Sequence, residues 1–343
     1  RLLRRSLPAV GRPVIGYYVH HVGQGHLRRA LAITAASSRP FTLLSSLPRP
    51  AGYAGAWVDL PRDDADADPT DPTAFGQLHW APVGDAGLRA RMASIAEWID
   101  TARPEAMVVD VSVEVVAFVR LMGVRVIALV QPGSRSDPAH RLGYALAEQL
   151  IAPWPEAIGA ELVDGTEAWT GKVRFTGAFS RFDGRPPVQR STARPKVVLL
   201  HGQGGSSLSK ADVESARAAT PEWDWTVLGD DAESWVEDPW PIVSSADVVI
   251  THAGLNAVAE VAAARKPAIV IPQKRPHEEQ SATAHAIADA GLALTREQWP
   301  PADEWPELLR SAVSLGGDRW AIWSAGDGAA RAAAVIEALA AHS

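Results

Sequence analysis

The chain has 343 residues, 47% hydrophobic and 21% charged, with a formal net charge of -7 and no cysteine. That length exceeds what one hydrophobic core normally supports and predicts two domains. The charge balance argues against nucleic acid as a partner, and the missing cysteines exclude disulfides and zinc–thiolate sites, as suits a cytoplasmic protein.

The opening "RLLRRSLPAVGRP" is basic but lacks the apolar stretch of a signal peptide, and no run approaches the roughly 20 apolar residues of a membrane span. Strands are predicted at 14–19, 41–46, 107–111, 124–130 and 150–154, separated by the helical segments "LRRALAITAAS", "GLRARMASIAEWIDTA" and "EVVAFVRLMG". Residues 61–85, "PRDDADADPTDPTAFGQLHWAPVGD", form an acidic loop too long for a simple connection, so it is either mobile or functional. "FDGRPPVQRSTARP", 182–195, reads as a linker. The alternation then restarts with "KVVLL", "WTVLG", "DVVIT" and "PAIVIP". Each series opens on a strand followed by Gly-Gln-Gly. The expected fold is α/β: two Rossmann-like doubly wound domains facing a cleft. The first takes in 1–181, the second 196–325, and an alanine-rich helix lies in 326–343.

Neither glycine turn has the spacing of a P-loop or of a dinucleotide fingerprint. Gly202, Gly204 and Gly205 could let backbone approach an anion, with Ser206 capping the next helix, or could simply serve a turn that needs positive φ. The segment 251–291 is sharper. A strand ends at Thr251, Gly254 breaks the chain, and the helix that follows points its N-terminal N–H groups at the carboxyl edge of the sheet. Glu260, near that helix's second turn, could accept two hydrogen bonds from a ribose diol. Glu279 and Gln280 start the next helix after the polar loop "PQKRPHEEQ". In the first half, Asp110, Arg135, Asp137 and His140 follow strands at the edge that carries His26. They are candidate acceptor or supporting groups, with ordinary capping and surface pairing as the alternative. His20, His21 and His26 have no firmly spaced carboxylate partner, so no metal site is expected.

Gly254, Glu260, Lys266-Pro267, Pro272 and Gln280 together resemble the nucleotide-sugar region of the family 28 (MurG-like) GT-B glycosyltransferases. The opening "GQGHLRRALA" resembles the first glycine-rich turn of that family. The resemblance implies that Glu260 holds the ribose, that the amides around His252, Ala253 and Gly254 hold the diphosphate, and that Glu279 and Gln280 meet the sugar hydroxyls. It also implies that His26 acts as base or orients the acceptor beside Gly25. Two departures bear on this: Ala257, with Asn256 beside it, stands where a hydroxyl residue is usual, and Thr283 where an asparagine often follows. Gly25-His26-x-x-Arg29 is closer to nucleotide-sugar hydrolases, in which the histidine activates water.

The expected activity is transfer of a sugar, with inversion and without a metal or other cofactor, from a nucleotide diphosphate sugar, UDP-linked by the resemblance, to an acceptor hydroxyl. The rivals are a nucleotide-sugar hydrolase and a non-catalytic donor-binding subunit. The acceptor is open and includes lipid-linked carriers of cell-envelope or glycoconjugate synthesis. For such a carrier Arg1, Arg4 and Arg5 would support peripheral contact with the inner face of the membrane. By the same resemblance the closing helix should cross back onto the first domain.

Overall fold

The computed structural model describes residues 14–64, 68–159, 162–164, 169, 171–188, 194–201, 208–229, 234 and 236–341. Gly202, Gly204, Gly205 and Ser206 lie outside these, as do Arg1, Arg4 and Arg5 and residues 189–193 of the expected linker.

Parallel strands covered on both faces need nearly continuous apolar runs, and β1 (Ile15–Val19), with all five residues buried, is such a run. The chain continues through α1 (Gly25–Ala36), β2 (Phe41–Ser45), β3 (Ala56–Asp59), α2 (Ala86–Ala102), β4 (Ala106–Asp110) and α3 (Val113–Leu121). Next come β5 (Arg125–Leu129), α4 (Pro138–Leu146), β6 (Gln149–Ala152), α5 (Glu156–Gly159) and β7 (Val173–Phe175). These seven strands form one parallel sheet in the order β3-β2-β1-β4-β5-β6-β7.

The second series holds β8 (Lys196–Leu200), α6 (Lys210–Ala219), β9 (Asp224–Leu228), α7 (Trp240–Ser244), β10 (Val248–Thr251), α8 (Leu255–Ala264) and β11 (Ala268–Val270). It ends with α9 (Glu279–Asp289), β12 (Leu294–Thr295), α10 (Trp305–Leu315), α11 (Trp320–Trp323) and α12 (Gly328–Ala341). Its five strands are also parallel, in the order β12-β11-β10-β8-β9. Strand order therefore reverses between β1 and β4 in one sheet and between β8 and β10 in the other. Ligands of such sheets bind outside the carboxyl ends at these switch points. The residues just beyond them are His20 and Val111 on one side and His201 and His252 on the other.

The acidic loop is anchored rather than loose at its second half. Glu114, in the first turn of α3, accepts from His79 N at 2.8 Å and Trp80 N at 3.0 Å, and Trp80 Nε1 donates to Asp63 O at 2.8 Å. Arg91 on α2, 1% exposed, reaches the loop's entry through Asp63 Oδ2 at 2.7 Å and Pro61 O at 3.0 Å. The last helix returns to the first sheet. Ala332, Ala333, Ile336 and Ala340 of α12 pack with Ile15, Tyr17, Leu27 and Ile33, and Glu337 accepts from Ser38 N at 2.8 Å.

Candidate active site

The carboxyl edges of the two sheets face each other across a cleft of about 750 Å³, lined from one side by residues 20–26, Arg28, Arg29 and Arg181 and from the other by His201, His252, Gly254–Ala257, Glu260 and Gln280. At Gly25 the two sides come so close that a methyl group would collide with the amide of Asn256. Glycine there permits the first turn of α1 to approach the first turn of α8.

His26 is the second residue of α1, with its side chain 20% exposed. Its Nδ1 lies 3.0 Å from Oδ1 of Asp110, the last residue of β4 and 0% exposed. The β1–β4 register, which pairs Val19 with Asp110, brings together two residues 84 positions apart. Asp110 also accepts from Arg29 Nε at 3.0 Å and Nη2 at 3.2 Å and from Tyr17 Oη at 3.4 Å. Burial opposes its charge, but the Arg29 guanidinium and His26 outweigh this and hold its carboxyl below the usual range.

Nδ1 of His26 is also 3.1 Å from Nη2 of Arg29, a pure donor. Arg29 has other acceptors: beside Asp110, the Gln131 amide, with its oxygen turned toward the guanidinium, accepts from Nη1 and Nη2 at 3.1 Å. We therefore assign Nδ1–H of His26 to Asp110, which leaves Nε2 as the basic nitrogen. His20, whose ring lies 5.9 Å from that of His26, is pushed down to about 3 by burial and by His26, His21 and Arg91, so it stays neutral.

The opposite wall is built around α8. An α-helix leaves its first N–H groups without intrahelical acceptors, and here the ladder starts with Val258 N donating to Gly254 O at 3.0 Å. Two of the amides expected to hold a diphosphate have partners within the turn. Ala253 N donates to Gln280 Oε1 at 3.2 Å and Gly254 N to His252 Nδ1 at 3.0 Å, because the turn must satisfy its own buried donors. Leu255, Asn256 and Ala257, the first turn of α8, line the cleft beyond this turn. Burial, with Arg275 and His201, pushes His252 down to about 4, so Nδ1 keeps its lone pair.

Gln280 is similarly committed. Its Oε1 takes Ala253 N and, at 2.9 Å, Gln273 N, tying the loop after β10 to the loop after β11, and its side chain also meets His252. Glu260, 8% exposed, lines the cleft but already faces two cations: Arg181 Nε at 3.0 Å and Arg28 Nη1 at 3.4 Å. Neither arginine stood out in the sequence. Arg28 shares a helical turn with His26, and Arg181 sits at the edge of the expected linker, so only the pairing of the lobes marks them.

The other candidates gather at one end of the cleft. Asp137 caps α4 by accepting from His140 N at 3.1 Å and meets His79 Nε2 at 3.1 Å. Arg135 donates through Nε and Nη2 to Pro132 O at 3.1 and 2.9 Å, and Nη2 lies 3.6 Å from Glu279 Oε2. His79 and His277, which the sequence did not single out, complete this group.

Residues 233–307 match the family model described as the glycosyltransferase family 28 C-terminal domain. The UDP-N-acetylglucosamine--N-acetylmuramyl-(pentapeptide) pyrophosphoryl-undecaprenol N-acetylglucosamine transferase of Nitratidesulfovibrio vulgaris is 38% identical over 93 residues, which span 25% of this chain and about a quarter (24%) of that protein. Three solved structures share the fold. They are the glycotransferase of kitacinnamycin (TM-score 0.68, 18% identity, 96% of this chain and 99% of that one), the calicheamicin glycosyltransferase CalG4 (0.65, 17%, 97% and 99%) and MurG of Acinetobacter baumannii (0.57, 15%, 96% and 99%). The whole chain therefore has the GT-B fold, and within it residues 233–307 are similar to the C-terminal domain of family 28 (MurG-like) glycosyltransferases.

Proposed function

We propose that the chain transfers a sugar from a UDP-linked donor to an acceptor hydroxyl, with inversion and with no metal in the chemical step. In this reading residues 1–181 present the acceptor, 182–195 link the lobes, 196–325 bind the donor, and 326–343 tie the lobes together. The observation that carries it is the His26–Asp110 pair, whose histidine lines the same cleft as the N-terminus of α8 in the lobe bearing the family 28 match. Asp110 holds Nδ1–H, so Nε2 takes the proton of the acceptor hydroxyl. The oxygen forms its bond to the anomeric carbon as the bond to the diphosphate breaks, and one displacement inverts the centre. The departing charge falls on the amides of Leu255, Asn256 and Ala257, the α8 dipole and the nearby guanidinium groups of Arg28 and Arg181.

A hydrolase is the second reading, because Arg29 binds the same carboxylate as His26 and makes Gly25-His26-x-x-Arg29 one unit that could equally activate water. Titration with UDP, GDP, dTDP and CDP, then with the sugars of the preferred nucleotide, tests both. Micromolar UDP binding with slow release of UDP from a UDP-sugar in water is expected. Rapid stoichiometric hydrolysis would move the assignment to the hydrolase, and no nucleotide binding would sink both readings. Among the described residues no helix is long and apolar enough to cross a membrane. A lipid-linked acceptor would be met by a peripheral surface.

A further inference from the structure

At the end of the cleft, three imidazoles surround one carboxylate across the junction of the two lobes. His79 comes from the anchored acidic loop, Asp137 and His140 from the first turn of α4, and His277 from the 3₁₀ turn Pro276–Glu278 ahead of α9. One ligand-type atom from each of the four lies within 4.8 Å of every other. Nε2 of His79 is 3.1 Å from Asp137 Oδ1, Nδ1 of His140 is hydrogen-bonded to Asp137 Oδ2, and Nδ1 of His277 is 3.9 Å from Oδ2. Tetrahedral zinc bonds of 2.0–2.2 Å place ligand atoms roughly 3.3 Å apart, so the hydrogen-bonded His79–Asp137 and His140–Asp137 pairs must open slightly and the wider separations close by an ångström or so to enclose an ion.

We propose that His79, Asp137, His140 and His277 form a site for a zinc-type divalent cation that fastens the two lobes together. Three imidazoles and one carboxylate suit zinc or cobalt and not magnesium or calcium, which take oxygen ligands. The site is prepared from both sides. His277 and Glu278 hold left-handed backbone, with φ 62° and 55°. Such strain persists in non-glycine residues where the surroundings over-determine it. Here Ser134 N donates to His277 O at 2.8 Å, and Gly133, at φ 96°, lacks the side chain that would strike that carbonyl. Glu114 fixes the backbone of His79 on the other flank.

Arg135 Nη1, 3.2 Å from His140 Nε2, works against loading. With a metal on Nδ1 that nitrogen carries hydrogen, so Nη1 must turn away while Nε and Nη2 keep Pro132 O. Among the described residues, the other group of ligand type, His21 with Asp63 and Asp64, is weaker, since Arg91 and Arg62 already pair with its carboxylates. No step of the proposed transfer passes through the ion, and the site stands or falls independently of that reading.

The test is equilibrium titration of the full, tag-free chain with Zn²⁺ and with Co²⁺, after chelation and removal of the chelator. One ion per chain is expected, with the intense visible bands of tetrahedral Co²⁺. His79→Gln and His277→Gln should each weaken binding by at least about 100-fold, beyond the 10–100-fold typical of an outer partner. Metal-free unfolding curves check that both variants fold. The absence of a stoichiometric ion, or wild-type affinity in both folded variants, would overturn the site.

Discussion

At the scale of single residues, the proposed chemistry depends on which nitrogen of His26 carries hydrogen. Asp110 is 0% exposed, so it does not meet an acceptor directly, and its contribution is to hold Nδ1–H and stabilise the imidazolium that forms. Asp110→Asn preserves the shape while offering an amide that can turn its NH₂ toward Nδ1. That favours the tautomer in which Nε2 is already protonated. We expect kcat to fall roughly 10²- to 10⁴-fold with UDP affinity unchanged. His26→Ala should cost a similar factor, and the double variant little more, because the two residues act as a unit. A full additive loss in the double variant would separate them. The sequence marked His26 through its turn and named Asp110 as an edge residue. Their contact was invisible because it depends on β1 lying beside β4.

At the scale of elements, the long buried strands were legible because parallel sheets demand unbroken apolar runs. The short β3, β7 and β12 were not, having two to four residues each and no buried stripe: β3 is exposed at both ends and β7 is only partly buried. The strand-to-helix turn at 252–254 resembles an anion cradle in sequence, whereas in the fold Ala253 N and Gly254 N donate to Gln280 and His252. This commitment has a pH signature. His252 falls to about 4 on folding, chiefly through burial, whereas an unfolded histidine titrates near 6.5. Its stabilising contribution is therefore complete above about pH 6.5 and is lost as pH falls toward about 4, with a slope of up to about 1.4 kcal/mol per pH unit. His20 and His140, pushed down to about 3 and about 4, mainly by burial, act in the same direction. His252→Asn keeps an acceptor for Gly254 N and removes the titration. Urea unfolding at pH 7, 6 and 5 should show a flatter loss of stability in the variant, and parallel slopes would show that His252 is not held neutral.

At the scale of the whole molecule, Glu260 belongs to both lobes: the family resemblance assigns it a ribose, while the structure gives it Arg28 and Arg181. Both can hold, because a carboxylate offers about four lone-pair sites and Arg181 Nε and Arg28 Nη1 both reach Oε1. The two roles predict opposite responses to different parts of the donor. If Oε2 takes the ribose diol, Glu260→Ala should weaken uridine binding by about 1.5 to 3 kcal/mol, the range for a hydrogen bond to a charged group, and UDP binding by less, because UDP also carries the diphosphate. The same change frees two guanidinium groups beside the first turn of α8, where the proposed reading puts the leaving diphosphate, so inorganic pyrophosphate should bind more tightly, and that gain should shrink as salt is raised. Comparing uridine, UDP and pyrophosphate on one variant separates the terms, since uridine senses only the diol and pyrophosphate only the cations. Unchanged uridine affinity with tighter pyrophosphate would leave Glu260 as a cross-lobe counter-ion and remove it from ribose recognition.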